Sequence, residues 1–227
     1  MFFSDVTWSQ GPRGPSVGSR PADTLRFDPK SGAVSVFRPP SGMADGLAIE
    51  TGCGLLATEG ADRGGGRITR AKLETGRAET LLGSFRERSN GIAVSPDATP
   101  LYLAIRERGD RRPFGRSVPR RTVIERREID ARGRRRDGRV GVDFAGGDGA
   151  DGLPSERAGG LRAAVRRGDR PGIRALDEED RERAPLPVPA PTDLAFGRPA
   201  EDDVSWVAAE KRLFRIRVGE KGHRLQN

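Results

Sequence analysis

Asp45-Gly46-Leu47-Ala48 returns in altered form three times along the chain, as Asn90-Gly91-Ile92-Ala93, Asp151-Gly152-Leu153 and Thr192-Asp193-Leu194-Ala195. The Asp or Asn residues of these motifs lie 45, 61 and 42 residues apart. This is the period expected when each repeat is one small antiparallel sheet in a ring. Such a ring directs one polar side chain per sheet toward a common axis. The pattern therefore predicts an all-β fold, a β-propeller, with polar residues gathered at its centre.

The composition agrees with many short strands. The chain has 227 residues, of which 34% are hydrophobic and 33% charged, with 31 glycines and 17 prolines. So much glycine and proline favours strands and turns over long helices, and it argues against a helical bundle. The length suffices for one large all-β domain, so we predict a single propeller domain over residues 1–227.

Alternating apolar residues around turn residues predict the individual strands. Residues 24–37 read as a hairpin about Pro-Lys-Ser-Gly, and residues 67–82 repeat that layout about Glu-Thr-Gly. Short apolar strands are predicted at 54–60 and 101–104, and the last sheet is predicted to use 205–218. Residues 185–191 alternate proline with small apolar residues, and we predict a connector because proline cannot donate to a strand ladder.

The charge is strongly basic, and most of it comes from arginine. The net charge is +8, the isoelectric point is about 10.7, and only four of the 41 basic residues are lysines. Residues 106–139 are rich in arginine and lack a clear period, so we predict an exposed loop or an eroded blade there. A nucleic-acid or anionic surface could bind the arginine pairs of this stretch. Interleaved acidic residues weaken the field, however, and this function ranks last.

Several kinds of site are excluded by residue counts. A single cysteine, Cys53, allows neither an intrachain disulfide nor a cysteine zinc site. The single histidine, His223, rules out a multi-histidine metal site, and because it lies near a C-terminus that we expect to be mobile, we do not expect it to serve in a Ser-His-Asp triad. Any metal must therefore be held mainly by oxygen, which favours calcium, magnesium or manganese, with zinc as an alternative. No apolar run is long enough for a membrane span, and we expect a cytoplasmic protein, or a secreted one if a further N-terminal segment exists.

In the order of its motifs the chain resembles the SMP-30/gluconolactonase (regucalcin-like) family of six-bladed propellers. The resemblance covers most of the length. It rests on Phe3-Ser4-Asp5, Phe27-Asp28-Pro29, Phe37 to Gly42 with Asp45-Gly46-Leu47, Leu55 to Gly60, Arg67 to Arg70, Asn90 to Asp97 with Leu101-Tyr102, Asp151-Gly152-Leu153, Val188 to Gly197 and Leu213 to Ile216.

The resemblance implies a metal-dependent hydrolase of a sugar-type lactone or a related ester. Family members hold one divalent cation on the propeller axis with a Glu, an Asn and an Asp. The Asn of their Asn-Gly-(Leu/Ile) motif corresponds to Asn90, and the Asp of their Asp-Gly-(Leu/Met) motif corresponds to Asp151. The resemblance thus implies Asn90 and Asp151 as metal ligands and Asp151 as the general base, with calcium as the first choice of cation. It identifies no substrate-binding residue.

Two family segments have no counterpart in the chain. The Glu-Gly-Pro segment that supplies the first ligand would precede Phe2, and the Asn-Ser-Pro-Asn-Asp segment would lie between Leu82 and Asn90. We therefore expect about one blade fewer than six. Pro154, which follows Asp151-Gly152-Leu153, also interrupts the strand expected there.

These gaps leave other interpretations open. The chain could be a degenerate propeller that binds a partner or sugar without catalysis. Asp45 and Asp193 could serve only as turn residues, because Asx-Gly is a common tight-turn signature. Glu59 could be a pocket carboxylate or could merely border a turn.

Overall fold

The structure is a computed structural model. It describes residues 2–4, 8–11, 14–17, 23–39, 44–50, 52, 54–61, 65–85, 88–97, 99–106, 122–129, 135–145, 149–168, 170–183 and 185–223. Cys53 and two of the arginine pairs of the basic stretch, those at 111–112 and 120–121, lie outside these residues.

Nearly all regular structure in the described residues is antiparallel β. In chain order, β1 to β18 are Phe2–Ser4, Trp8–Gly11, Gly14–Val17, Thr24–Phe27, Val34–Arg38, Ala44–Glu50, Gly54–Ala61, Gly65–Lys72, Ala78–Phe85, Arg88–Val94, Leu101–Arg106, Thr122–Ile129, Arg135–Asp143, Leu161–Val165, Gly172–Leu176, Pro191–Phe196, Val204–Ala209 and Arg212–Arg217. The helix found among these residues is the single 3-10 turn Pro199–Glu201. No helix there has the length and apolar character needed to cross a membrane.

The strands form five consecutive sheets and a separate hairpin. The sheets are β1-β4-β5, β6 to β9, β10 to β13, β14-β15 and β16 to β18, and the hairpin is β2-β3. The sheets follow one another in chain order, as in a propeller. Within the described residues the last sheet shares no strand with the first, so strand pairing does not close the ring. The all-β propeller prediction is confirmed, and the described part of the chain contains five sheets where a six-bladed ring would have six.

Local turn chemistry explains the predicted hairpins. In the β4–β5 turn the Asp28 carboxylate accepts hydrogen bonds from the Lys30 backbone N–H at 3.0 Å and the Ser31 hydroxyl at 2.7 Å. Gly32 then takes a φ of +72°, a conformation that favours glycine. In the β8–β9 turn Gly76 has a φ of +68°, and its N–H donates to the Lys72 carbonyl at 2.8 Å.

The core lies between adjacent sheets. Strand β11 contributes to two clusters because its side chains alternate between the two faces of its sheet. Leu101, Leu103 and Ile105 pack toward the second sheet, while Tyr102 and Ala104 pack toward the fourth. A third cluster joins the fourth and fifth sheets. Because neighbouring sheets pack face to face in this way, the innermost strands of successive sheets lie side by side.

The interpretation of 106–139 as a loop or an eroded blade is wrong where the structure describes it. Strands β12 and β13 complete a four-stranded sheet there. Val123 and Ile124 are buried, and Arg127 is buried in an ion pair with Glu125. Thr122 is buried as well, whereas Glu128 is exposed, so the strand is held by a short buried stretch and one paired charge.

The fourth sheet has an irregular inner edge where Pro154 was expected to interrupt a strand. The Asp151 N–H donates to Ala164 at 2.9 Å, the Ala164 N–H donates to Gly152 at 3.0 Å, and the Arg162 N–H donates to Pro154 at 3.0 Å. The segment 150–155 therefore runs alongside β14 without forming a regular strand. On the other edge of this sheet, Leu186 of the predicted connector exchanges two backbone hydrogen bonds with Ile173.

Candidate functional site

The four repeated motifs lie on the innermost segments of four consecutive sheets. Asp45 lies in β6, Asn90 in β10, Asp151 in the irregular segment beside β14, and Asp193 in β16. In β6, β10 and β16 the pairing register shifts at or next to the Asx residue. Such β-bulges redirect side chains and are over-represented next to active sites. The interpretation of Asp45 and Asp193 as tight-turn residues is therefore wrong, because both lie in bulged strands.

The glycines of the motifs are explained by contact with the next sheet. A Cβ on Gly46 would lie 2.5 Å from the Asn90 carbonyl oxygen. A Cβ on Gly91 would overlap the Asp151 carbonyl oxygen, and a Cβ on Gly152 would overlap Asp193 Oδ1. Each glycine thus lets the following motif approach closely. The fourth motif has Leu194 in place of glycine, and no further copy of the motif follows it.

A buried threonine fixes the first two motifs relative to each other. Thr58 of β7 has no exposed surface. Its hydroxyl donates to the Asn90 carbonyl at 2.6 Å and accepts from the Gly46 N–H at 2.9 Å. Thr58 therefore bridges the second and third sheets at the level of Asn90. The sequence offers no signal for this role, since Thr58 lies in an ordinary strand.

All five sheets line one central cavity of about 580 Å³. Its polar lining includes the carboxylates of Asp45, Asp151 and Asp193, together with Ser4 from β1. Gly91 also lines it, so the backbone next to Asn90 borders the cavity. Among the described lining residues there is no lysine or arginine. Three of the described lining residues are thus acidic, on a chain whose net charge is positive.

The electrostatics of the cavity centre on Asp151. The pKa of this carboxyl is raised to about 7, first by burial and then by the neighbouring carboxylates of Asp45 and Asp193, while Arg166 opposes the increase. Loss of hydration also raises the pKa of Asp193, although a hydrogen bond from the Leu194 N–H at 2.8 Å opposes this change. A carboxyl with a pKa near neutrality can exchange protons at physiological pH.

The predicted site residues are only partly brought together. Asp151 lines the cavity, and Asn90 adjoins it through Gly91. In the described part of the chain, no three His, Cys, Asp or Glu side chains are grouped closely enough to hold a metal ion. The roles of Asn90 and Asp151 as ligands, and of Asp151 as the base, remain predictions.

Glu59 has a structural role and is absent from the described lining of the central cavity. Its carboxylate is completely buried and pairs with Arg38 at 2.5 Å and Arg67 at 2.7 Å. Thr69 donates a further hydrogen bond at 2.9 Å. Because Arg38 belongs to the first sheet and Glu59 to the second, this ion pair links the two sheets.

A second cavity of about 270 Å³ adjoins the first. Both are lined by Leu47, Ile92, Leu153, Pro154 and Ala195. The first cavity is lined by the beginnings of the innermost segments and the second by their ends, so the two are stacked along the strand direction. His223 lies at the second cavity, where its backbone N–H donates to the Ser155 carbonyl at 2.9 Å.

Comparison with known proteins identifies the fold but no family. No protein-family model matches the chain, and no curated protein matches it. Among solved structures, the nidogen/laminin complex aligns with a TM-score of 0.64 at 16% identity, over 96% of this chain and 75% of that one. Regucalcin from Agrobacterium tumefaciens, described as a calcium-binding protein, aligns with a TM-score of 0.64 at 17% identity, over 96% and 77%.

A putative gluconolactonase aligns with a TM-score of 0.50 at 17% identity, over 90% of this chain and 83% of that one. Identities this low establish a similarity of fold alone. The chain has the β-propeller fold shared with regucalcin-like and gluconolactonase-like structures.

Proposed function

We propose that the protein hydrolyses a lactone or a related ester with the help of one divalent cation. The observation that carries the proposal is the convergence of the Asx motifs on one cavity, where the pKa of Asp151 is raised to about 7. The resemblance of the motifs to the gluconolactonase family supports the same reaction and a sugar-type lactone as substrate. The similarity of fold to a calcium-binding regucalcin supports calcium as the cation.

Asn90 and Asp151 offer the oxygen ligands that a hard cation prefers, although no three His, Cys, Asp or Glu side chains of the described residues are grouped closely enough to hold an ion. Asp45, Asp151 and Asp193 all belong to the described lining of the cavity. The pKa of Asp151 is raised first by burial and then by repulsion from Asp45 and Asp193. A divalent cation would relieve this repulsion, and oxygen ligands suit calcium, magnesium and manganese. Asn90 and Asp151 would hold the ion. When bound, it would polarise the lactone carbonyl and make water more acidic.

Asp151 has the properties of a general base. Its carboxylate would take a proton from the attacking water and return that proton to the ring oxygen as the C–O bond breaks. A pKa near 7 allows both transfers at neutral pH. Asp45 and Asp193 sustain this pKa by their negative charge. The apolar walls supplied by Leu47, Ile92 and Leu153 would limit the access of other water molecules.

The test is lactone hydrolysis by the purified chain, first treated with a chelator and then supplied with calcium, magnesium, manganese or zinc. We expect hydrolysis with one of these cations, and its loss in Asp151→Asn. Asp203→Asn is the matched control, because Asp203 forms only an outer ion pair with Arg217 at 3.4 Å. Equal turnover by the wild type and Asp151→Asn would exclude the assignment of the base. No turnover with any lactone or cation would favour a propeller that binds without catalysis.

A further inference from the structure

The walls of the two stacked cavities bear on which lactone would fit. The second cavity is lined by the apolar residues Ala48, Ile49, Val94 and Phe196, in addition to the wall it shares with the first. Ser155 and His223 also line the second cavity, but apolar side chains make up more of its described lining than of the first cavity's. A ligand that fills both cavities would therefore have its more polar end beside the aspartates and its more apolar end in the second cavity.

The hydroxyl groups of the lining are already engaged with the backbone. Ser4 donates to the Asp45 carbonyl at 3.0 Å, Thr192 donates to the Ala208 carbonyl at 3.2 Å, and Ser155 donates to the Val94 carbonyl at 2.8 Å. A sugar hydroxyl both donates and accepts, so the aspartates of the first cavity could accept from it. In the second cavity the described side chains able to pair with further sugar hydroxyls are Ser155 and His223, and hydroxyls buried without partners lose affinity. The described lining of the second cavity is therefore better matched to an alkyl chain than to a row of sugar hydroxyls.

The geometry points to a lactone that carries an alkyl side chain, bound with its ring at the carboxylate end and its chain along the apolar wall in the second cavity. This inference rests on the proposed function for the position of the ring. It specifies the substrate class, whereas the motif resemblance alone suggests a sugar-type lactone. Leu47 is central to it, because this partly exposed side chain lines both cavities.

The inference is tested by calorimetric binding of unreactive δ-lactams with alkyl side chains of increasing length, beside the polyhydroxylated gluconolactam. We expect the dissociation constant to fall about four-fold for each added methylene, the equivalent of about 0.8 kcal/mol. Leu47→Asn should reduce this gain. Leu213→Asn should not, because Leu213 is 65% exposed on β18 and absent from the described lining of both cavities. Circular dichroism would verify that both variants are folded.

Binding and turnover separate this inference from the proposed function. Chain-dependent lactam binding without hydrolysis of any lactone would support the alkyl site and overturn the proposed hydrolase. Hydrolysis with tighter binding of gluconolactam than of every alkyl lactam would support the hydrolase and overturn the alkyl site. Affinity independent of chain length, or no binding of any lactam, would also overturn the alkyl site.

Discussion

Replacing Asp151 by Asn is expected to stabilise the cation-free protein at alkaline pH while it abolishes hydrolysis. The pKa of Asp151 is raised from 3.8 to about 7, so the folded state binds its proton more tightly than the unfolded state. The stability that comes from this proton is fully present below pH 3.8 and is lost as the pH rises through about 7. Asn cannot ionise, so the variant avoids this loss.

The shift in pKa sets the size of the effect. At 1.36 kcal/mol for each pKa unit, the loss is at most about 4 kcal/mol, and partial exposure of the carboxyl reduces it to about 2–4 kcal/mol. For a chain of this length, that corresponds to a melting temperature about 5–15 °C higher in Asp151→Asn at about pH 8. At about pH 4 the two proteins should melt at similar temperatures.

The assay is thermal unfolding followed by circular dichroism, in chelator, across this pH range. A difference between the two proteins that grows with pH supports the electrostatic account. A variant that is less stable than the wild type at alkaline pH, or a difference that is constant with pH, would refute it. Adding the active cation should raise the melting temperature of the wild type and leave that of the variant unchanged.

Three further substitutions test how the sheets are held together. Gly91→Ala should lower the free energy of unfolding, measured by urea denaturation, by about 2–3 kcal/mol, because the new Cβ overlaps a backbone carbonyl of the next motif. Thr58→Val should cost about 2–4 kcal/mol, because it leaves two backbone groups unpaired, while Thr58→Ser keeps the hydroxyl and should lose less. Glu59→Gln should lower the free energy of unfolding by about 3 kcal/mol, because it leaves two guanidinium groups without their carboxylate. Its control is Glu79→Gln, which should change this free energy by less than about 1 kcal/mol because Glu79 is exposed.

The glycine prediction has a matched control in Gly83. Among the described atoms, a Cβ there would meet Thr80 Cγ2 alone, at the ordinary contact distance of 3.6 Å. Gly83→Ala should therefore be neutral or stabilise the fold by about 0.5–1 kcal/mol. Equal destabilisation by Gly83→Ala and Gly91→Ala would contradict the close-approach explanation of the motifs. If Thr58→Val and Thr58→Ser lose the same stability, the effect comes from side-chain packing and not from the hydrogen bonds of the hydroxyl.

Local features of the sequence predicted the local features of the fold. The β4–β5 hairpin follows from alternating residues around a turn in which Asp28 and Gly32 have clear roles. The spacing of the repeated motifs predicted a common axis because it reflects the size of one sheet. Both kinds of signal lie within a few residues of one another or recur at a fixed period.

Features that depend on partners distant in sequence could not be predicted in this way. Strand β12 was missed because its buried pair Val123 and Ile124 is surrounded by charged residues. The role of Glu59 depends on Arg38 of another sheet, and the bulges at the Asx residues depend on pairing register. The raised pKa of Asp151 likewise arises from burial in the assembled fold and from carboxylates on two other sheets.

Isothermal titration of the active cation into the chelated protein tests the central claim most directly. The account predicts one cation per chain and, at about pH 7, release of about half a proton on binding, because Asp151 is about half protonated there. The proton count follows from repeating the titration in buffers of different ionisation enthalpy. Asp151→Asn should release no proton and bind the cation far more weakly. Cation binding of the same strength in both proteins, or no binding to either, would contradict the account.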